Sequence, residues 1–374
     1  MKKVLFIFGT RPEGIKLAPL IKKMQENSDF EVKVCITGQH REMLDQVMSF
    51  FEIIPDFDLK IMKPNQTLSD ITSDILKNLQ PIFTNESSPD YVVVQGDTTT
   101  AMVGALAGFY FHKKVVHIEA GLRSFDKYSP FPEEMNRLLV SKMADLHFAP
   151  TEIAKQNLLN EGVVEEKVFN VGNTVIDALF LGLKNLEKDS ASTYNKGFDF
   201  IDPIKKIILV TAHRRENFGA PIEEVFDAVK QIALTRHDVQ IIYPVHLNPN
   251  VQEPANRILK GIDNIFLLSP LDYPRLLLLM NQATIILTDS GGIQEESPSL
   301  GKPVLVLREV TERMEGVDAG TAKLVGTSKS RIIKEVNQLL DDSEYFKSVS
   351  SIANPYGDGN SCDRIIEQIR IYSS

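Results

Sequence analysis

The chain has 374 residues, of which 43% are hydrophobic and 24% charged, and its formal net charge is −9. At about 150 residues per domain this length predicts two domains, and the composition excludes a disordered, collagen-like or disulfide-stapled chain. Because the excess charge is negative and the signs are interspersed, we expect neither nucleic acid nor a membrane surface as a partner. Cys35 and Cys362 lie far apart and match no disulfide or zinc pattern, which favours a reducing cytoplasm.

The N-terminus combines a basic flank with an apolar run, as a signal peptide does. The run covers only residues 4–8 before Gly9 and Arg11, so we interpret it as a buried strand. No stretch of the sequence approaches the roughly 18 to 20 uninterrupted apolar residues that span a bilayer. The sequence therefore predicts a cytoplasmic protein that does not cross a membrane.

Short apolar runs rich in Val and Ile recur along the chain, and each is followed by a segment with helical spacing. This alternation is typical of a parallel α/β sheet. The runs cover residues 4–8, 32–36, 91–94 and 115–118 in the first half, and 205–210, 240–243, 284–287 and 304–307 in the second. Residues 184–204 between the halves indicate an irregular surface segment. We therefore predict an α/β protein with two sheet-and-helix halves.

Charged side chains follow several of these runs. Asp97 and Glu119 come shortly after two strands, and Glu133 and Glu134 begin a later helix. Since ligands of open α/β sheets bind beyond the carboxyl ends of the strands, we expect these groups to converge on a cleft between the halves. Carboxylates in one cleft suit acid/base chemistry. Basic residues near strand ends predict a cationic lining: Arg11, Lys16, Arg123, Arg137, Arg214, Arg215 and Arg313.

Two of these candidates also have simpler interpretations. Glu133 and Arg137 are four residues apart on a predicted helix, which is the spacing of an ordinary solvated ion pair, and the sequence alone favours that interpretation.

His213 follows a strand in a polar and basic setting, where an imidazole can shuttle protons or contact phosphate. His246 has a comparable position at the end of another run.

Gly291 and Gly292 begin a predicted helix directly after a strand. Free backbone N–H groups there suit a diphosphate, Ser290 can add a hydroxyl donor, and Glu296 can accept from ribose hydroxyls. An ordinary tight turn explains the two glycines equally well. The chain contains neither G-x-G-x-x-G nor G-x-x-x-x-G-K-[ST] in a βαβ setting, which argues against a dehydrogenase or an NTPase.

Together these motifs closely resemble those of the non-hydrolysing UDP-N-acetylglucosamine 2-epimerases. The resemblance runs in the same order and with similar spacing from Gly9 to residues 354–359. It rests on Phe8-Gly9-Thr10-Arg11-Pro12-Glu13, Gln95-Gly96-Asp97-Thr98-Thr99-Thr100, His117-Ile118-Glu119-Ala120-Gly121-Leu122-Arg123, Pro132-Glu133-Glu134-Met135-Asn136-Arg137, Thr211-Ala212-His213-Arg214-Arg215-Glu216-Asn217 and residues 288–296.

The resemblance implies a glycosyltransferase-B type fold, in which two Rossmann-like domains face a central cleft. The N-terminal domain would cover residues 1–170 and be completed by a C-terminal helix over residues 361–374. The UDP-binding domain would cover residues 171–360. The resemblance also implies a homodimer, no NAD and no required metal.

Members of this family interconvert UDP-GlcNAc and UDP-ManNAc, which differ at sugar C2. The resemblance implies elimination of UDP to 2-acetamidoglucal followed by re-addition, and a product that supplies ManNAc units for cell-surface polysaccharide. It assigns proton transfer and sugar binding to Asp97, Glu119 and Glu133, and departure of UDP to His213. It assigns substrate binding to Arg11, Lys16, Arg137, Ser290, Gly291, Gly292, Glu296 and Arg313, with the two glycines on the diphosphate and Glu296 on the ribose.

Many bacterial members are activated by a second UDP-GlcNAc beside the catalytic site. Four residues match positions that line this second site: Gln39, Glu133, Arg214 and His246. Two others depart from the family, because Glu42 stands where Gln is common and Asn65 stands where Arg is common. A cation is lost and an anion gained near a dianionic ligand, which disfavours the activator.

Four other functions remain open from the sequence. A hydrolysing relative would release free ManNAc, and another 2-epimerase would act on a modified UDP-sugar, whereas residues 9–13 favour the plain UDP-GlcNAc branch. A retaining glycosyltransferase of the same fold would leave C2 untouched. A catalytically silent UDP-sugar sensor would lose its acid/base groups, yet Asp97, Glu119, Glu133 and His213 are all present.

Overall fold

The computed structural model describes residues 1–38, 41–63, 65–85, 88–188 and 194–372. The chain divides into two compact units. The first comprises Met1–Leu181 and the chain from Gly357 onward, and the second comprises Gly182–Tyr356. Each unit contains one parallel sheet with helices between its strands. The predicted α/β class with two Rossmann-like domains is therefore confirmed.

The described strands of the first unit form one parallel sheet of seven. Their spatial order is β3 (Phe57–Asp58), β2 (Phe30–Ile36), β1 (Lys2–Phe8), β4 (Tyr91–Gln95), β5 (Lys114–Ile118), β6 (Leu146–Ala149) and β7 (Val168–Asn170). The central strands are almost uninterrupted apolar runs because helices cover both faces of a parallel sheet. The helices of this part are α1 (Arg11–Gln25), α2 (Arg41–Phe50), α3 (Leu68–Thr84), α4 (Thr99–Tyr110), α5 (Glu133–Met143), α6 (Glu152–Asn160) and α7 (Thr174–Lys188).

The second unit repeats this architecture with six described strands, all parallel. Their order is β10 (Ile265–Leu268), β9 (Val239–Pro244), β8 (Lys206–Thr211), β11 (Ile285–Thr288), β12 (Val304–Val306) and β13 (Ala322–Leu324). The helices are α8 (Ala220–Thr235), α9 (Pro249–Leu259), α10 (Tyr273–Gln282), α11 (Gly291–Glu296), α12 (Met314–Ala319), α13 (Lys329–Asp341) and α14 (Ser343–Ser350). None of the helices in the described ranges is both long and apolar enough to cross a membrane.

The last helix, α15 (Ser361–Tyr372), belongs to the first unit. Asp177 of α7 explains why the first unit extends to Leu181, since its carboxylate accepts hydrogen bonds from the backbone N–H groups of Ser361 at 3.2 Å and Cys362 at 3.0 Å. The predicted irregular segment over 184–204 is wrong at its start, because α7 continues to Lys188. Residues 189–193 of that segment lie outside the described residues.

Strand order reverses at a corresponding place in each sheet. In the first unit β1 lies between β2 and β4, and in the second β8 lies between β9 and β11. Doubly wound sheets bind ligands beyond the carboxyl ends of the strands at this reversal. The loops after β1 and β4, and those after β8 and β11, are therefore the places where each unit offers its functional side chains.

Candidate active site

A buried carboxylate joins the loops after β1 and β4. Glu13, in the first turn of α1, is 1% exposed. Its Oε2 accepts from the backbone N–H groups of Gly9 at 3.0 Å and Thr10 at 2.8 Å, and its Oε1 accepts from the Thr98 hydroxyl at 2.6 Å. Burial raises the pKa of Glu13, and these hydrogen bonds oppose the rise. Sequence reasoning gave Glu13 no role, although its spacing from Thr10 is that of a capping box.

Glu119 and Lys16, predicted separately as site residues, form one ion pair. Glu119 directly follows β5 with a left-handed backbone, at φ 61°. Lys16 Nζ contacts Glu119 Oε2, and Gln95 Nε2 donates to the same oxygen at 2.8 Å. The Lys16 and Glu119 side chains are 14% and 8% exposed, so the pair is largely removed from water. Gln95, which the sequence did not single out, ends the neighbouring strand β4.

Arg137 joins Asp97 to Glu134. Its Nη2 contacts Asp97 Oδ2, and its Nη1 donates to Glu134 Oε2 at 2.9 Å. The predicted ion pair between Glu133 and Arg137 is wrong. The inward-facing carboxylate of α5 is that of Glu134, which is 1% exposed, so the arginine pairs three residues back rather than four. The structure thus brings Asp97 and Arg137 together at the end of β4.

Glu133 and Glu134 differ in what they contact. Glu134 also accepts from the backbone N–H groups of Ser124 at 3.0 Å and Phe125 at 3.1 Å, so it holds the loop before α5. Glu133 is half-buried, and none of the described side chains forms an ion pair with it. Of the two carboxylates, Glu133 is therefore the one left available to a ligand.

Fewer of the predicted basic residues can offer their charge to a ligand than the sequence suggested. Arg123 is committed to Glu161, to which its Nε and Nη2 donate at 2.6 and 2.8 Å. Its side chain is 1% exposed, so Arg123 cannot contribute charge to a ligand. Arg11 is half-buried, and no carboxylate in the described part of the chain pairs with it. Arg11 thus offers an uncompensated positive charge beside β1.

In the second unit, Asp289 and His213 lie on the two sides of the strand reversal. Asp289 follows β11 and is 0% exposed. Its Oδ2 accepts from the backbone N–H groups of His213 and Arg214, both at 2.7 Å. His213 Nδ1 lies 3.2 Å from Asp289 Oδ1. Sequence reasoning identified His213 but not Asp289, because only the sheet pairing brings the two strand ends together.

His213 also stacks on His246. The two ring centroids are 5.6 Å apart, with an interplanar angle of 14°. His246 is exposed, and its Nδ1 accepts from the Asn248 backbone N–H at 3.1 Å. The structure therefore places His246 against one face of the His213 ring.

Ser290, Gly291 and Gly292 form the turn into α11. A Cβ on Gly291 would lie 3.3 Å from the guanidinium carbon of Arg313, whereas one on Gly292 would meet only Glu296 Oε1, at 3.7 Å. Arg313 Nε donates to Glu295 Oε1 at 2.7 Å, which holds the guanidinium beside the glycines. The absence of a side chain at 291 thus allows a cation to approach this turn.

Glu296 lies at the end of α11 and is mostly buried. The Tyr273 hydroxyl donates to Glu296 Oε2 at 3.5 Å. Burial raises the pKa of Tyr273, so this phenol remains a hydrogen-bond donor. Tyr273 was missed because it lies at the start of α10, far from the other motifs in sequence.

The residues matched to a second nucleotide-sugar site are distributed over both units. Gln39 lies outside the described residues. Glu42 and Asn65 are exposed in the first unit, and Asn65 has φ 59°. Asn adopts this left-handed conformation more readily than Arg does, which gives a physical reason for the departure at 65. In the second unit Arg214 is exposed, and its Nε donates to the Asp289 carbonyl at 3.3 Å.

The arrangement contains no candidate metal centre in the ranges that the structure describes, since no three His, Cys, Asp or Glu side chains gather there as ligands. What it offers is acid/base and ion-pairing chemistry. The first unit presents two cation–carboxylate pairs at adjacent strand ends, and the second presents an imidazole, a turn with two glycines and a cation.

The sequence of this chain matches a known protein family over most of its length. Residues 22–370 match the family model described as UDP-N-acetylglucosamine 2-epimerase. The UDP-N-acetylglucosamine 2-epimerase of Escherichia coli (strain K12) is 54% identical over 374 residues, covering 98% of each chain. That of Campylobacter jejuni is 50% identical over 372 residues, covering 98% of this chain and 97% of its own.

Solved structures of similar proteins match the fold of this chain over 99% or more of its length. The crystal structure of UDP-GlcNAc 2-epimerase from Neisseria meningitidis bound to UDP-GlcNAc has a TM-score of 0.89 and 49% identity, covering 99% of this chain and 100% of that chain. A putative UDP-N-acetylglucosamine 2-epimerase from Listeria monocytogenes has a TM-score of 0.92 and 47% identity, covering 100% and 97%. The predicted glycosyltransferase-B type is thereby confirmed. The chain belongs to the UDP-N-acetylglucosamine 2-epimerase family.

Proposed function

We propose that this protein interconverts UDP-GlcNAc and UDP-ManNAc by inverting C2 of the sugar, without net hydrolysis. The observation that carries the proposal is the pair of carboxylates, Asp97 and Glu119, at the ends of the adjacent strands β4 and β5. Each carboxylate contacts a cation from another element, Arg137 or Lys16. Such a site can move protons next to an anionic substrate.

The proposed reaction is an elimination followed by re-addition, because the C2 hydrogen is not acidic enough for simple removal. A carboxylate takes the C2 proton, and the C2–H electron pair forms the C1=C2 double bond. The C1–O bond breaks, and its electrons pass to the β-phosphate oxygen of UDP. A proton then reaches the opposite face of C2, and UDP re-attacks C1. We assign proton transfer and sugar binding to Asp97, Glu119 and Glu133.

We assign UDP to the second unit. Its strand ends offer a hydroxyl, two glycines and the guanidinium of Arg313, which suit a diphosphate. Glu296 can accept from ribose hydroxyls beside Tyr273. His213 is placed to assist the departure of UDP. The relative from Neisseria meningitidis, crystallised with UDP-GlcNAc, supports a nucleotide-sugar ligand. Arg11 adds an uncompensated cation in the first unit.

The proposal is tested by NMR of the purified protein with UDP-GlcNAc in D₂O, free of added metal and NAD. We expect UDP-ManNAc to appear with deuterium at C2, since the carboxyl groups exchange their protons for solvent deuterons and deliver one of these to C2. Free ManNAc with UDP would instead establish a hydrolysing enzyme. An unlabelled sugar with no change at C2 would contradict epimerisation, and transfer to an added acceptor would identify a glycosyltransferase.

We also propose a cytoplasmic homodimer whose product feeds a surface polysaccharide. The support for a dimer is a set of exposed apolar side chains on α4 and α5, two helices that pack together. Phe109 of α4 and Met135 and Leu139 of α5 are 58%, 37% and 45% exposed, and exposed large apolar side chains favour a partner. Sedimentation of the full chain should give a dimer, and Phe109→Glu should give monomers. A monomeric native chain would contradict the proposal.

A further inference from the structure

We propose that Asp289 is a positioning residue that fixes the tautomer and orientation of His213. The inference rests on the proposed function, in which His213 faces the departing UDP, but its key readout does not require activity. Asp289 itself is fully buried, so it acts through the imidazole rather than on the substrate.

The sheet places the two residues side by side. β8 pairs in parallel with β11 in register Thr211↔Thr288, and the Asp289 backbone N–H donates to the Thr211 carbonyl at 3.0 Å. The Asp289 carboxylate then accepts from the backbone N–H groups of His213 and Arg214 through Oδ2. Three hydrogen bonds thus hold the carboxylate and the start of the His213 loop in one geometry.

The remaining carboxylate oxygen, Oδ1, faces the imidazole. His213 Nδ1 lies 3.2 Å away without forming a well-aligned hydrogen bond, and no donor in the described residues hydrogen-bonds to this buried oxygen. A carboxylate oxygen only accepts hydrogen bonds. We place the proton of the neutral ring on Nδ1, because an Nδ1–H directed at Oδ1 supplies this buried oxygen with a donor, whereas an unprotonated Nδ1 would leave it without one.

The neutral His213 ring accordingly has its proton on Nδ1 and its lone pair on Nε2. The His213 side chain is 39% exposed, whereas Asp289 is fully buried. Because Nδ1 faces the carboxylate, Nε2 is the ring nitrogen directed away from it. In its doubly protonated form the ring donates the Nε2 proton to the β-phosphate oxygen as C1–O breaks, which leaves the neutral Nδ1–H ring, and Nε2 takes that proton back when UDP returns. The carboxylate stabilises the doubly protonated ring before UDP departs and after it returns.

His246, which stacks on one face of the His213 ring, has the opposite hydrogen-bond pattern at its own Nδ1. Its Nδ1 accepts from the Asn248 N–H, so its neutral form carries the proton on Nε2. The near-parallel rings, 5.6 Å apart, oppose rotation of His213 out of its contact with Asp289. The two stacked imidazoles are thus held in opposite tautomers by their partners.

The decisive variant is Asp289→Asn. The amide oxygen can still accept the two backbone N–H groups, but the amide N–H₂ then faces Nδ1 and requires a lone pair there. The neutral His213 ring should therefore switch its proton to Nε2. We expect kcat to fall about a hundredfold, with KM for UDP-GlcNAc and affinity for UDP nearly unchanged.

The test is ¹⁵N NMR of protein labelled at histidine, with the His213 signals assigned by their loss in His213→Gln. At alkaline pH we expect the Nδ1–H tautomer in the native chain and the Nε2–H tautomer in Asp289→Asn. Glu335→Gln is the matched control, because Glu335 is a mostly buried carboxylate of the same unit, paired with Lys323 at 2.6 Å. It should change neither the tautomer nor kcat.

An Nε2–H tautomer in the native chain would overturn the inference, and this result is decisive even if Asp289→Asn does not fold. A folded Asp289→Asn variant that keeps the native tautomer, or keeps native kcat, would also overturn it. If the native chain shows the Nδ1–H tautomer but UDP-GlcNAc gains no deuterium in D₂O, the proposed function fails while the Asp289–His213 geometry stands.

Discussion

The two units share one strand order but present different chemistry at the same edge. In the first unit, the ends of β4 and β5 carry Asp97 and Glu119, each in contact with a cation. In the second, the end of β11 carries Asp289, whose carboxylate is used by backbone N–H groups and by His213. The fold therefore determines where a site lies, and the side chains after the strands determine what it does.

A common structural device underlies this difference. In each unit a buried carboxylate accepts hydrogen bonds across the strand reversal. Glu13 after β1 accepts from Thr98 after β4, and Asp289 after β11 accepts from His213 after β8. Glu13 and Asp289 hold these loops in place. Asp97 and Glu119 are instead the carboxylates that we assign to proton transfer. We therefore assign proton transfer to the first unit and UDP binding to the second.

The largest expected effect is on turnover when the reactive carboxylates are neutralised. Asp97→Asn or Glu119→Gln should lower kcat about a thousandfold, because proton transfer at C2 is lost. UDP affinity, measured by calorimetry, should stay at the native value. Asp145→Asn is the control, since Asp145 also pairs with a cation, Lys114 at 3.1 Å, outside the site. Full activity in both site variants would refute the assignment of proton transfer to the first unit.

The next largest expected effect is that the first unit loses more stability than the second at acid pH. Burial lowers the pKa of His117 to about 3 and that of His147 to about 4, and both residues belong to the first unit. In the unfolded chain their pKa is about 6.5, so stability present above that pH is lost as the pH falls towards these lower values. The loss at pH 4 should be about 3 kcal/mol for each histidine.

The comparison is with the second unit, whose three histidines, His213, His237 and His246, are partly or fully exposed. Hydrogen exchange read by mass spectrometry between pH 7 and pH 4, corrected for the intrinsic rate, should show protection falling first in the first unit. Replacing His117 with Gln should reduce that fall. Equal loss of protection in both units would contradict the expectation.

A smaller effect is expected on nucleotide binding. Glu296→Ala should weaken UDP about tenfold, which is the magnitude of a hydrogen bond to a charged group. Binding of 2′,3′-dideoxy-UDP should be equally strong in the variant and the native chain, because this ligand lacks the ribose hydroxyls. Glu344→Ala, at an exposed position of the same unit, is the control. Equal weakening for both nucleotides would show that Glu296 does not contact ribose.

The smallest effect concerns activation by a second UDP-GlcNAc. We propose that Glu42 weakens this activation by placing a carboxylate near a dianionic ligand. Glu42→Gln should increase the stimulation of UDP-ManNAc turnover by added UDP-GlcNAc about threefold, as expected for one exposed charge. The variant avoids position 65, where the left-handed backbone would strain an arginine. Unchanged stimulation would contradict the proposed role.

Much of the fold was predictable because a parallel sheet leaves a strong pattern. Buried strands such as β1 and β4 are apolar on both faces, and the polar residues begin where the strands end. The start of residues 184–204 was mispredicted because α7 continues past the unit boundary to Lys188. Its stability there depends on packing, which local composition does not reveal.

The site was predictable where a residue type already indicates its chemistry, and less so where a contact determines its role. Glu133 and Glu134 are neighbours in sequence, and only the phase of α5 shows that Arg137 pairs with Glu134. Arg123 has the same charge as Arg11, but its bidentate contact with Glu161 is made between distant elements. Asp289 has a role because β8 and β11 are paired, which no local motif records.

Positional isotope exchange tests directly whether UDP leaves C1 and returns during epimerisation. UDP-GlcNAc labelled with ¹⁸O in the bond between C1 and the β-phosphate is incubated with the protein, and the nucleotide sugars are examined by ³¹P NMR. We expect the label to spread into the non-bridging β-phosphate oxygens, because UDP leaves C1, rotates its phosphate and returns. Epimerised product that retains all of its label in the bridging position would contradict elimination and the assigned roles of both units.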